Sequence, residues 1–166
     1  DKDGHFLGVK VDTVAAVGAY LSQYGIFIPT LAGAGMHVGV YKIPTLYNKV
    51  NVVYTNTVPV DAYRGAGRPE ASYVIERLVD KAADDLGIDP LELRMKNFVQ
   101  PDEIGKNEGS ILPFDSCDFQ KTTEMSIVNS SYSDFVNRKK SADKSKYLKG
   151  IGVSYYVERT QGEGSE

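Results

Sequence analysis

Residues 59–70, Pro-Val-Asp-Ala-Tyr-Arg-Gly-Ala-Gly-Arg-Pro-Glu, bring together the groups of this chain best suited to chemistry. Arg64 and Arg68 flank Gly65-Ala66-Gly67, and Pro69 opens a long amphipathic pattern. Gly65 and Gly67 lack a Cβ, so the backbone can reach positive φ and come close to a ligand. Pro69 suits the first turn of a helix, where an N–H has no intrahelical acceptor. A helix start also carries orphan N–H donors and a partial positive charge, so loop and helix together form a cradle for an anion or a cofactor. Two planar guanidinium groups would add charge-assisted hydrogen bonds to a phosphate or oxo group. A basic loop that merely caps a helix would carry the same pattern. Glu70, in the first turn beside both arginines, is the one helix carboxylate held as a candidate; Glu76, Asp80, Asp84 and Asp85 read as a solvated face.

Other candidate groups carry less. Gly33-Ala-Gly-Met-His-Val-Gly39 resembles a dinucleotide loop, but its third glycine is one residue too far and no helical pattern follows. His5 and His37 stand far apart with a single cysteine, so no zinc spacing exists and no metal ligand is assigned. Both histidines read as structural or surface residues. Cys117 lies between Asp115 and Asp118, which would raise a thiol pKa rather than activate it.

Positioning these groups takes a folded core, and 166 residues at 42% apolar composition can bury one. The chain is mildly acidic, net −3, with no arginine before Arg64, which disfavours nucleic-acid binding. No apolar run reaches the length of a membrane span and no secretory signal opens the chain. One cysteine fits a reducing compartment, and a cytoplasmic location is expected. The start on Asp1-Lys-Asp-Gly4 and the finish on Gly162-Glu-Gly-Ser-Glu166 suggest that both ends continue into something larger.

Residues 5–20 carry strand alternation through Val9, Val11 and Thr13, and residues 25–39 are glycine-rich and irregular. Residues 46–58 read as a second strand, with Val50, Val52 and Tyr54 on one face. Pro69 to Leu86 is the strongest helix, its stripe Val74, Ile75, Leu78, Val79, Ala82, Ala83 and Leu86 ending at Gly87. Leu78 stands mid-stripe, so Leu78→Ala is expected to cost about 2–5 kcal/mol. Asp89 caps a second helix with Pro90 at its first position, running to about Phe98. Residues 101–113 read as polar loop, 116–130 or beyond as a weaker helix starting near Asp118, 137–149 as a solvated basic segment and 150–158 as a strand. The order β-β-α-α-α-β predicts an α+β fold, a mixed sheet with packed helices, rather than regular βαβ winding.

Three ordered stretches carry a resemblance. Tyr41-Lys-Ile-Pro44, Thr55-Asn-Thr-Val-Pro59 and Ala62-Tyr-Arg-Gly-Ala-Gly-Arg-Pro-Glu-Ala71, followed by Ile75–Asp80 and Gly87–Phe98, resemble the molybdenum-binding large subunit of the xanthine dehydrogenase/aldehyde oxidase/carbon monoxide dehydrogenase family. Asp3-Gly4 and Gly150–Val153 match as well, so the resemblance runs through nearly the whole chain in unbroken order. It implies that residues 1–166 form one segment of a molybdopterin-binding region. It implies a molybdenum ion held by a pyranopterin, usually the cytosine dinucleotide in prokaryotes, hydroxylation with oxygen from water, and iron–sulfur and FAD groups on partner domains or subunits. By resemblance, Arg64, Gly65, Ala66, Gly67 and Arg68 would contact the cofactor, and Arg64 would be the catalytic residue of the loop.

Departures narrow the substrate. Gly65 stands where copper–molybdenum carbon monoxide dehydrogenases carry cysteine, and Ala66 where xanthine dehydrogenases carry phenylalanine, so an aldehyde or a small non-purine heteroaromatic is expected. The family's Gly-Gly-Ala-Phe-Gly and Gly-Gln-Gly segments and its catalytic glutamate have no counterpart here. The expectation is an excised piece, or one polypeptide of a split subunit, inactive without the remaining large-subunit chain. The alternatives are a non-catalytic α+β scaffold and an unrelated domain binding a phosphorylated ligand.

Overall fold

The computed structural model describes residues 1–105, 114–143 and 146–158. Strand β1 (Val9–Ala16) pairs with β2 (Leu46–Val53) in parallel, Val9 opposite Leu46 and Ala16 opposite Val53. A parallel pair needs a long crossover. Here residues 17–45 supply it, with one π-helical turn, Ile28–Ala32, inside an otherwise irregular path. Both strands alternate as expected, although Tyr54 lies past the end of β2 and is exposed, so it is not part of the Val50/Val52 face.

Helix α1 (Arg68–Leu86) and α2 (Pro90–Lys96) follow closely on one another. The Asp89 carboxylate accepts from the Leu91 and Glu92 N–H groups at 2.9 and 3.1 Å, the cap expected from its position before Pro90. The buried face of α1 is Ala71, Ile75, Glu76, Val79 and Ala83, which differs from the expected stripe. Leu78 and Leu86 are 45% and 42% exposed, whereas Glu76 is only 5% exposed. Rows four residues apart define the face that meets the core, and Leu78 falls off the row that runs through 71, 75, 79 and 83. Leu78 instead lines a shallow groove with Phe6, Val9 and Ile43.

Glu76 is buried because both of its carboxylate oxygens find partners. Tyr41 Oη donates to its Oε1 at 2.6 Å and Arg94 Nε to its Oε2 at 2.9 Å, while Arg94 Nη2 reaches Asp80 at 2.8 Å. Burial, reinforced by the Glu76 charge, pushes the Tyr41 phenol far above the usual tyrosine range. Burial opposes the Arg94 charge, but its bonded neighbours outweigh it and hold the guanidinium protonated more firmly than usual. Around this network Phe98 stacks on Tyr41 and meets Tyr155 edge-on, ring centroids 6.1 and 4.8 Å apart. Asn97 closes the N-terminal turn onto α2: its Nδ2 donates to Gly4 O and its Oδ1 accepts from Phe6 N–H.

Helix α3 (Phe119–Ser130) begins after an Asp118 cap, as expected. The basic segment 137–149, expected to be solvated, overlaps helix α4 (Phe135–Asp143), which is mostly exposed but whose helical form was not foreseen. Residues 150–158, expected as a strand, run without a ladder among the described residues. That segment docks by side chains instead: Tyr155 packs on Phe98 and its hydroxyl bonds Thr123 of α3. The architecture is α+β, a two-stranded parallel sheet beside packed helices. Of the residues 101–113 expected as loop, Pro101–Glu103 form one 3-10 turn and 106–113 lie outside the described residues.

Candidate functional site

A cavity of about 440 Å³ opens where the C-terminal half of β1, the crossover, the 60–67 loop and the start of α1 converge. Thr13, Ala15, Ala16 and Val17 form one wall, Ile28, Pro29, Gly33 and His37 a second. Asp61, Tyr63, Arg64, Ala66 and Gly67 form the third, and Pro69, Glu70, Ala71 and Val74 the floor. Val60, where the loop begins, is tied to the crossover: its N–H donates to Val17 O and its carbonyl accepts from the Ser22 hydroxyl at 2.6 Å.

Two positive-φ glycines shape the loop, Gly65 at 82° and Gly67 at 90°. Their surroundings differ. A Cβ on Gly67 would lie 2.7 Å from both Ala32 Cβ and Ile28 O, so this glycine lets the loop press against the π-helical turn rather than against a ligand. Around Gly65 nothing approaches a built Cβ closer than 3.6 Å, and the atom at that distance is a carboxylate oxygen of Glu158. Any other residue at either position would be strained.

The two arginines part company. Arg64 is exposed, lines the cavity and has no ion-pair partner among the described residues. Arg68 is not part of the cavity wall. Its Nη1 donates to Ala66 O at 3.3 Å, and Glu158 Oε1 stands 3.1 Å from Nε, out of line with the N–H. Glu70 turns back to accept from the Gly67 N–H at 2.9 Å, satisfying one of the orphan donors at the start of α1. That role was readable in the sequence, since a glutamate three residues after an N-cap is half of a capping box.

His37 is the residue that sequence reasoning left aside. It lines the cavity at 7% exposure, and its Nδ1 is buried with no hydrogen-bond partner among the described residues. Burial lowers its pKa from the usual 6.5, which favours a neutral imidazole at neutral pH. Its neighbours Gly35, Met36 and Val38 gave no signal beyond an apolar, glycine-rich context. His5 is exposed and remote from it, and Cys117 Sγ sits 3.9 Å from Val99 O, away from the cavity. Among the described residues no group of three or more His, Cys, Asp or Glu side chains could hold a metal ion, and no helix is long and apolar enough to cross a membrane.

The sequence profile of the molybdopterin cofactor-binding domain matches residues 1–98, which carry both strands, the cavity and helices α1 and α2. The chain belongs to the molybdopterin cofactor-binding domain family. Relatives of this family include the gamma subunit of the 6-hydroxypseudooxynicotine dehydrogenase complex of Paenarthrobacter nicotinovorans, 29% identical over 92% of this chain and 20% of that protein. The aldehyde oxidoreductase of Megalodesulfovibrio gigas is 31% identical over 94% of this chain and 16% of its own length. Among solved structures, quinoline 2-oxidoreductase from Pseudomonas putida 86 superposes with a TM-score of 0.77 at 28% identity, covering 87% of this chain and 19% of that one. The chain thus spans about one fifth or less of the length of the relatives that it matches. Its kinship is with the molybdenum-binding large subunits of the xanthine dehydrogenase, aldehyde oxidoreductase and carbon monoxide dehydrogenase group, as the motifs around Tyr41, Arg64 and Arg94 implied.

Proposed function

We propose that residues 1–166 are one segment of a molybdenum hydroxylase large subunit, and that the cavity beside Arg64 receives the metal-side end of its molybdopterin. The observation that carries this reading is Arg64 itself, an arginine without a counter-ion among the described residues, on a glycine-turned loop that lines a cavity at the start of a helix. The residues present fit such a group. The Arg64 guanidinium suits its phosphate and oxo oxygens, and among the described residues the buried Nδ1 of His37 has no partner. The pyranopterin would supply the metal's ligands, so no cluster of side chains is needed to hold it. When bound, the group supplies the two-electron oxidation of the substrate with oxygen from water.

The chain's own contribution is electrostatic and steric. Arg64 would stabilise negative charge on oxygen of the bound group, a role that requires a donor fixed in place before the reaction. Ala66 and Gly67 line the adjoining wall, whereas Gly65 turns the loop without lining the cavity, and the small Ala66 leaves room for an aldehyde or a small heteroaromatic ring. The cytosine dinucleotide form of the cofactor, iron–sulfur and FAD-bearing partners, and a cytoplasmic location complete the proposal. The 166 residues alone are not expected to turn over substrate, since most of a relative's length lies outside the matched region.

The test is Arg64→Ala in the full-length subunit assembled with its partners. Turnover should fall on the order of 10²–10³-fold, by analogy with removal of one oxyanion donor, with molybdenum content retained. Arg64→Lys keeps the charge but loses the planar fork and should also be impaired. Parental turnover in Arg64→Ala at full molybdenum loading would sink the reading.

A further inference from the structure

The loop holds two arginines, but only one faces the cavity. We propose that Arg68 and Glu158 form a clasp that positions the Arg64 loop, so that Arg68 is a positioning residue and not a ligand of the cofactor. The inference rests on the proposed role of Arg64, and adds to it the device that holds Arg64 in place.

Arg68 turns toward the protein and not into the cavity. Its guanidinium reaches Ala66 O at 3.3 Å and Glu158 at 3.1 Å, and its side chain is 23% exposed. The partner is held too. The Tyr156 hydroxyl donates to Glu158 Oε2, an interaction that keeps the Tyr156 phenol above the usual tyrosine range. Glu158 Oε2 also lies against Gly65, 3.6 Å from where a Cβ would stand, so the carboxylate covers the turn of the loop as well as its end.

The segment that delivers Glu158 is anchored in the core. Tyr155 meets Phe98 edge-on with ring centroids 4.8 Å apart and bonds Thr123, and Val157 packs on the same cluster. Glu158 is itself exposed, but the segment that brings its carboxylate to Arg68 is anchored at Tyr155. The loop is therefore pinned at two places: Gly67 against Ala32 and Ile28, and Arg68 against Glu158. Of the loop's two arginines, Arg64 is the one without an ion-pair partner among the described residues. Glu158 neutralises the second cation, so the cavity presents one positive charge to its ligand instead of two.

Positioning of this kind acts on turnover more than on binding, because a displacement of about 1 Å in a catalytic group can cost on the order of 10²-fold in rate. In the assembled holoenzyme, Glu158→Gln keeps the side chain's size and removes its charge. The expected result is a kcat lowered about ten- to a hundredfold with KM within about twofold of the parent. Molybdenum content per subunit, measured by metal analysis, should stay at the parental level in both Glu158→Gln and Arg68→Gln. Exchanging the pair, Arg68→Glu with Glu158→Arg, should recover part of the kcat lost in either single variant. If Glu158→Gln fails to assemble, Glu158→Asp keeps the charge, draws the carboxylate back by one methylene, and should lower kcat by a smaller factor.

The clasp is overturned if the Gln variant, or the Asp variant in its place, turns over at the parental rate. It is overturned equally if Arg68→Gln loses molybdenum while Glu158→Gln keeps it, which would make Arg68 a direct cofactor ligand. An exchanged pair no better than the worse single variant also overturns it. These outcomes are separate from the test of Arg64: a damaged Arg64→Ala enzyme beside a silent Glu158→Gln refutes the clasp alone.

Discussion

His37 is buried in the cavity wall without a hydrogen-bond partner for Nδ1, and a buried imidazole of this kind resists a proton because its charged form loses hydration. The sign follows directly. The folded state holds this proton less tightly than the unfolded chain, so its stabilising contribution is present above the unfolded value of 6.5 and is lost as pH falls through the depressed folded value. In full-length protein carrying labelled histidine, the His37 imidazole resonance, assigned with His37→Gln, should titrate with a midpoint below 6.5. A midpoint at or above that value would mean that the imidazole is solvated or bonded to an acid, contrary to the geometry. For Arg64 and Arg68 the contrast is one of neighbours. Residue type made them equal candidates, and the carboxylate of Glu158 separates them.

At the scale of the element, α1 shows how a correct helix can be assigned an incorrect face. The row Ala71, Ile75, Val79 and Ala83 points into the core, while Leu78 is displaced toward a shallow groove and is 45% exposed. Ile75→Ala should therefore cost about 2–5 kcal/mol, the ordinary range for emptying a core site. Leu78→Ala should cost under about 1.5 kcal/mol, because less apolar surface returns to water. Pulse proteolysis of the full-length subunit compares the two. A larger loss at Leu78 than at Ile75 would show that the core lies on the other row. The unforeseen α4 has a simpler origin: a run with Arg, two Lys and Ala favours helix by propensity even where little is buried.

Across the whole molecule, the stretches that carried the family resemblance turn out to touch one another. Tyr41 comes from the crossover before β2, Glu76 and Asp80 from α1, and Arg94 from α2; they meet in one buried, hydrogen-bonded network. Replacing such a network wholesale with apolar groups can be harmless, but removing one charge strands the other. Glu76→Leu should thus destabilise the subunit by about 3–5 kcal/mol, since Arg94, fully buried, would keep only Asp80 and backbone carbonyls. A midpoint shift in pulse proteolysis equivalent to less than about 1 kcal/mol would mean that the pair contributes little to holding α1 on α2.

Sequence alone determined what local chemistry can determine. The Asp89–Pro90 cap, the end of α1 at Gly87, the positive-φ turns at Gly65 and Gly67 and the alternation of β1 and β2 depend on a few adjacent residues, and each was legible. The motif order was legible as well, and with it the family. Tertiary structure decided the rest, because burial and pairing are properties of what lies opposite. Glu76 reads as a solvated carboxylate until Tyr41 and Arg94 are brought against it. Residues 150–158 alternate like a strand, but among the described residues no neighbouring strand pairs with them, so they are held by Tyr155 and Glu158 instead. Which of two arginines faces the cavity was likewise beyond any local pattern: the carboxylate that answers Arg68 arrives from the far end of the described chain, and only the folded core delivers it there.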